Sequence, residues 1–280
     1  MSRHRQVLVT GATGTVGRQV VAQLVEAGAS VRALTRVPEA AGLPADVDVV
    51  RGDLSDPRTL HTALEGIEAV LLVWPFAEAE GMPTVLEMTA RHARRIVYLS
   101  SVAVRDHEQQ AERLIAQSGL EWTVLRPHVF AANALDWAEQ IRSGGVVREP
   151  YGAAAAPVVD ERDIAAVAVR ALIGDGHASA VHELTGPESL TRAEQVRIIG
   201  EVTGRPARWE EAAPEAARQQ MLARGWPAEA VDGILRAQAR MVTDPLPSTD
   251  TVEQVTGTPA RTFRTWATDH ADAFRALRAT

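Results

Sequence analysis

Residues 6–28 constrain this chain more than any other stretch. The run Gln6-Val-Leu-Val-Thr10 is made of β-forming residues and stops at Gly11-Ala-Thr-Gly-Thr-Val-Gly17. Beyond it Val16, Val20, Val21, Leu24 and Val25 recur at helical spacing as far as Ala27-Gly28, where glycine closes the helix. The opening unit is therefore strand, glycine turn, helix, with the spacing Gly-x-x-Gly-x-x-Gly. Such a turn lets a pyrophosphate approach the backbone, and the helix start offers unpaired N–H groups and the positive end of a dipole. Gly11, Thr13, Gly14, Thr15, Val16 and Gly17 are expected to hold a dinucleotide; the other reading of three glycines, an ordinary tight turn, explains their spacing less well.

The next strand, Ser30 to Thr35, ends at the place where such a fold reads the adenosine ribose. A carboxylate there would accept from the 2′-hydroxyl of NAD, but the chain carries Arg36. A guanidinium matches a 2′-phosphate with paired hydrogen bonds, so the cofactor is expected to be NADPH, unless Arg36 is a solvated surface charge. Further strands at Asp48–Arg51, Ala69–Val73, Arg95–Ser100 and Trp122–Leu125 alternate with helices at 56–64, 83–92 and 106–118. This alternation predicts an α/β fold, a doubly wound parallel sheet of Rossmann type, with its ligand across the carboxyl ends of the strands. After residue 130 the pattern turns mostly helical, with helices expected at 131–143, 191–203, 214–224, 228–240 and 262–278. We assign 1–130 and 146–185 to the nucleotide-binding domain, and 131–145 and 186–280 to a smaller helical substrate cap. Trp137, Met221, Trp226 and Met241 either wall an apolar pocket there or pack as core.

Thr10 to Gly17, Gly52-Asp-Leu54, Tyr98-Leu-Ser-Ser101, Thr123-Val-Leu-Arg-Pro127, Pro157 to Ala165 and His182 to Pro187 together resemble the NmrA-like group of atypical short-chain dehydrogenases/reductases. That group includes quinone and triphenylmethane reductases, NADP-binding redox sensors and ketoreductases of actinomycete polyketide pathways. The resemblance implies that Asp53 and Leu54 touch the adenine and that Val73 and Trp74 lie near the inner ribose. It also implies that Ser100 and Ser101 approach the nicotinamide ribose and a substrate carbonyl, and that Pro127 to Val129 hold the carboxamide.

Composition then limits the chemistry. All 29 basic residues are Arg, Cys is absent, and Tyr occurs only at 98 and 151. Schiff-base catalysis, a Gly-Lys-Ser/Thr phosphate loop, thiol chemistry and the Tyr-x-x-x-Lys pair of many short-chain reductases are all excluded. Where that pair would sit, the segment 105–112 supplies His107, Glu108 and Glu112. Ser101 and His128 are the candidate proton donors, with His107 a more distant option; Ser101 alternatively caps a helix and His128 packs as a partly buried imidazole. Water or the substrate could also supply the proton. No metal motif occurs. A net charge of −7 argues against nucleic-acid binding, and the N-terminal apolar run is too short for a membrane span, so a cytoplasmic location is expected. The expected function is NADPH-dependent reduction of a carbonyl in a sizeable apolar substrate, with a ketone of an aromatic polyketide in antibiotic biosynthesis the preferred one. The alternatives are a quinone reductase and a non-catalytic NADP-binding redox sensor.

Overall fold

The computed structural model describes residues 6–103 and 106–275. In chain order its elements are β1 (Gln6–Val9), α1 (Thr15–Glu26), β2 (Ser30–Thr35), β3 (Asp48–Arg51), α2 (His61–Leu64), β4 (Ala69–Val73), α3 (Met82–His92), β5 (Arg95–Leu99), α4 (Asp106–Ala116) and β6 (Glu121–Pro127). They continue with α5 (Ala138–Gly144), β7 (Val146–Glu149), β8 (Ala155–Ala156), α6 (Glu161–Ile173), β9 (Ala180–Leu184), β10 (Leu190–Thr191), α7 (Arg192–Thr203) and β11 (Arg208–Glu211). The last helices are α8 (Pro214–Ala223), α9 (Ala228–Thr243), α10 (Thr251–Thr256), α11 (Phe263–Asp269) and α12 (Ala271–Phe274). No helix among the described residues is long and apolar enough to cross a membrane.

Two compact units emerge. The first draws on residues up to His128, on Glu161–Leu184 and on Thr251–Pro259. Its seven strands form one sheet in the order β3-β2-β1-β4-β5-β6-β9, with every pairing parallel. This is the doubly wound sheet that the alternation of strands and helices predicts. The strand order reverses between β1 and β4, the switch point at which a ligand crevice opens. Strand β4 is an unbroken apolar run because helices cover both faces of the sheet. On one face α1 packs on α6, and α6 on β4, β5 and β6. On the other, Leu64, Ile67, Met82, Leu86 and Ile115 close over Leu8, Leu72 and Ile96.

The second unit comprises Val129–Asp160, Thr185–Asp250 and residues from Ala260 onward. Residues 146–160 thus lie in this unit, and the α6–β9 segment in the first. It is mostly helical, with β11 beside β7 in parallel and β10 beside β8 antiparallel. A capping box opens α7: Thr191 Oγ1 accepts from the Glu194 amide at 3.1 Å while Glu194 Oε2 accepts from the Thr191 amide at 2.8 Å. Three local differences from the sequence reading stand out. Residues 131–137 wind as a 3-10 turn before α5, which Gly145 closes at φ +66°. The polar strand β11, Arg-Trp-Glu-Glu, has no apolar run to announce it. The C-terminal helix breaks at His270, whose ring stacks on Trp266 at 4.4 Å and hydrogen-bonds its carbonyl.

Trp266 centres the core of this unit, stacked on Phe263 at 5.4 Å and meeting Phe274 edge-on at 6.3 Å. Trp137 is core as well, edge-to-face with Trp209. Met221 packs beside the small cluster of Ala217, Val231 and Leu235, Met241 is half-buried, and Trp226 is 50 % exposed. Trp266→Ala is expected to cost ~3–5 kcal/mol, the usual loss when a buried aromatic leaves a cavity, read as a lowered urea midpoint.

Candidate functional site

The glycine turn leaves no room for side chains. Gly11 sits at φ +59°, and a Cβ on Gly17 would lie 2.1 Å from the Gly11 carbonyl oxygen. Backbone thus meets backbone where α1 leaves β1, bringing the helix start to the strand end. No side chain among the described residues caps α1: its N-cap, Gly14, is extended at φ −82° and ψ 177°. The first amides of the helix therefore remain available to an anion. Thr10 locks the neighbouring strand, its hydroxyl donating to the Leu71 carbonyl at 3.1 Å and accepting from the Val73 amide at 2.8 Å.

A cavity of about 380 Å³ opens beside this turn, lined by Thr10, Gly11, Thr13, Arg36, Asp53, Leu54 and Val73 among others. Arg36 stands at its rim, and the guanidinium makes no hydrogen bond or ion pair with any described residue. The Ser55 amide and hydroxyl hold the Asp53 carboxyl below the usual carboxylate range, with a smaller pull from Arg36, so Asp53 is an acceptor here. The residues fit a dinucleotide: glycine cradle, free helix amides, acceptor and unpaired guanidinium converge on one cavity.

A second cavity, about 300 Å³, lies at the ends of β4 and β5, lined by Trp74, Pro75, Phe76, Ala77, Tyr98, Leu99, Ser100, His107 and Glu108. Trp74 and Phe76 meet edge-to-face at 4.9 Å. Burial, reinforced by Glu108 and Glu112, pushes the Tyr98 phenol up to about 12, so it stays neutral and is a weak acid. Ser100 Oγ donates to Glu112 Oε1 at 2.6 Å, and Arg126 donates to both Glu112 oxygens at 3.0 and 2.5 Å. Ser101 Oγ donates to Glu108 Oε1 at 3.0 Å.

Of the residues singled out from sequence, Gly11, Thr13, Arg36, Asp53, Leu54 and Val73 line the first cavity; Trp74, Ser100 and His107 line the second. Gly14, Thr15, Val16 and Gly17 form the turn and first helical residues. Ser101, Pro127 and His128 line neither cavity, and Val129 belongs to the second unit. Pro127 closes β6, its carbonyl accepting from the Val102 amide at 3.1 Å. The sequence reading passed over Arg18, which ties the glycine turn to the segment after β2. It donates to the carbonyls of Thr13, Ala41 and Gly42 at 2.9, 2.9 and 3.0 Å. A cation in the first turn of a helix opposes the dipole, and that local conflict is the signal that could have flagged it.

His128 is 6 % exposed and neither ring nitrogen has a hydrogen-bond partner among the described residues. Burial holds its imidazole below the ordinary value, with Glu183 pulling the other way; burial likewise lowers His177 and His182. The unfolded chain takes up these protons near pH 6.5 and the folded chain only at lower pH, so stability present above that pH is lost on acidification. Stability is expected to fall from pH 7 to 5. His128→Leu should flatten part of that decline and change stability at pH 7 by no more than ~1 kcal/mol, since the ring's polar atoms go unpaired. Urea titrations at several pH values check this.

Comparison with known proteins agrees with this geometry. The NAD(P)H-binding family model matches residues 11–174. The chain is 40 % identical to the (4-alkanoyl-5-oxo-2,5-dihydrofuran-3-yl)methyl phosphate reductase of Streptomyces griseus, over 96 % of this chain and 99 % of the relative. It is 35 % identical to the NAD(P)H azoreductase of Xenophilus azovorans, over 96 % and 99 %. The fold matches the NADPH-dependent quinone oxidoreductase of Escherichia coli, solved with NADPH, at TM-score 0.78 and 22 % identity, covering 94 % and 99 %. A chain with this glycine cradle and these relatives belongs to the NAD(P)H-binding family of oxidoreductases.

Proposed function

We propose that this protein is an NADPH-dependent reductase of a small, electron-poor conjugated molecule, quinone-like or dye-like. The observation that carries the reading is the second cavity, aromatic-walled by Trp74 and Phe76, in which burial keeps the Tyr98 phenol neutral and a weaker acid than usual. Hydride addition to an isolated ketone leaves a localised alkoxide that needs a strong donor as it forms. A conjugated acceptor spreads that charge over its own heteroatoms and tolerates a weaker one. An alkanoyl-substituted oxo-dihydrofuran, an azo compound and a quinone are all acceptors of this kind, and the relatives named above act on them. A polyketide ketone, expected from sequence, therefore stands behind these acceptors. NADPH, when bound, supplies the hydride; the chain's glycine turn would hold its pyrophosphate and Arg36 its 2′-phosphate.

Oxidation of NADPH with a naphthoquinone or an azo dye as acceptor, over many turnovers, is the expected result. Binding of NADPH and NADP without turnover would instead favour a redox sensor. Arg36→Ala is expected to weaken NADPH binding roughly 10- to 150-fold, the loss of a charge-assisted contact of about 1.5–3 kcal/mol, and to leave NADH binding unchanged. Fluorescence titration with both cofactors checks it.

A further inference from the structure

The wall of the second cavity includes a carboxyl group from the segment that stands where the Tyr-x-x-x-Lys pair would sit. Glu108, in the first turn of α4, is 7 % exposed yet lines the cavity together with Trp74, Phe76, Tyr98 and Ser100. Two proton-carrying groups converge on one of its oxygens. Ser101 Oγ donates to Glu108 Oε1 at 3.0 Å, and His107 Nε2 stands 3.8 Å from the same atom. The His107 side chain is 25 % exposed and also lines the cavity. One helical turn further on, Glu112 takes the Ser100 proton at 2.6 Å and is gripped by both arms of Arg126.

These bonds reassign the serines. Each hydroxyl spends its proton on a carboxyl group of α4, so neither offers it to the cavity; a serine hydroxyl has one proton to give. Glu112, held by a bidentate guanidinium, accepts from Ser100 and orients it. Glu108 meets the cavity on one side, and the Ser101 hydroxyl and the His107 imidazole stand against one of its oxygens.

We propose that Glu108 is the catalytic acid of the reduction, held in place by Ser101 and supplied with protons from solvent through His107. This assignment rests on the reading of the protein as an NADPH-dependent reductase. Two electrons arrive as hydride, from NADPH, on one atom of the conjugated acceptor. The charge this leaves on the acceptor's heteroatom is quenched as the Glu108 O–H bond breaks and its proton forms the new bond to that heteroatom. Glu108 is left as a carboxylate, accepts the Ser101 hydrogen bond and regains a proton from His107 or water. Each turnover consumes one NADPH and one solvent proton and yields NADP and the reduced acceptor.

The test compares wild type, Glu108→Gln and Ser101→Ala, with menadione as acceptor. For Glu108→Gln the expected result is a fall in kcat of roughly 10²-fold or more, with NADPH affinity, read from quenching of tryptophan fluorescence, within twofold of wild type. Formate should restore part of the turnover of Glu108→Ala. Ser101→Ala, which keeps the carboxyl but loses its anchor, should lower kcat by less and leave NADPH affinity unchanged; it decides the matter if the Glu108 variants fail to fold. Turnover within twofold of wild type in Glu108→Gln, or a loss of NADPH affinity that matches the loss of turnover, overturns the assignment. A wild-type protein that consumes no NADPH with any such acceptor overturns the functional reading itself, and this proposal with it.

Discussion

The contact between Gly17 and the Gly11 carbonyl is the constraint on which the nucleotide end of this protein depends. A Cβ at Gly17 would lie within 3 Å of three backbone atoms, none of which can swing aside as a side-chain tip would. Only glycine lets α1 start this close to the end of β1. From that approach follow the uncapped helix amides, the position of Val73 against Gly11, and the Thr10 hydroxyl bridge to β4. Arg18 then carries the same rigidity to the segment after β2 through three backbone carbonyls.

A chain without lysine uses arginine for every cationic task, and the structure separates those tasks by what the guanidinium touches. Arg95 is buried against the carbonyls that end α6 and against Glu121, satisfying acceptors that the helix leaves open. Arg192 lies over the faces of Trp137 and Trp209, 5.5 and 4.8 Å from the ring centres, and donates to Glu149 and the Pro150 carbonyl. Arg126 is clamped on Glu112. These side chains have their donors spent, and their planar forks suit such multiple bonds better than an ammonium would. Arg36, which lines a cavity and whose guanidinium is bonded to no described residue, is the one among these four that is left for a ligand.

Much of the fold was legible because period and punctuation agreed. Strands such as β4 were written as apolar runs and α1 as a helical stripe ending at Gly28. What was missed lacked such a signal. Strand β11 is four largely polar residues that pair with β7 only because the chain returns there, and α10, at Thr251–Thr256, is a six-residue helix with one fully buried side chain. The C-terminal helix read as continuous because nothing in its spacing reveals that the His270 ring will turn back on Trp266.

The candidate site divides along the same line. By itself the sequence determined the glycine cradle, the arginine after β2 and the absence of a Tyr–Lys pair, since these are properties of residues a few positions apart, or of residue types the chain lacks. Tertiary structure alone decided which groups share a cavity and which way their protons point. His128, attractive on the sequence, is buried without a hydrogen-bond partner among the described residues, whereas Glu108, one polar residue among several on α4, lines a cavity beside Ser101 and His107. The physical reason is that a hydrogen bond between residues on different elements depends on how a helix is rotated against a strand end, and that rotation is set by packing across the whole sheet.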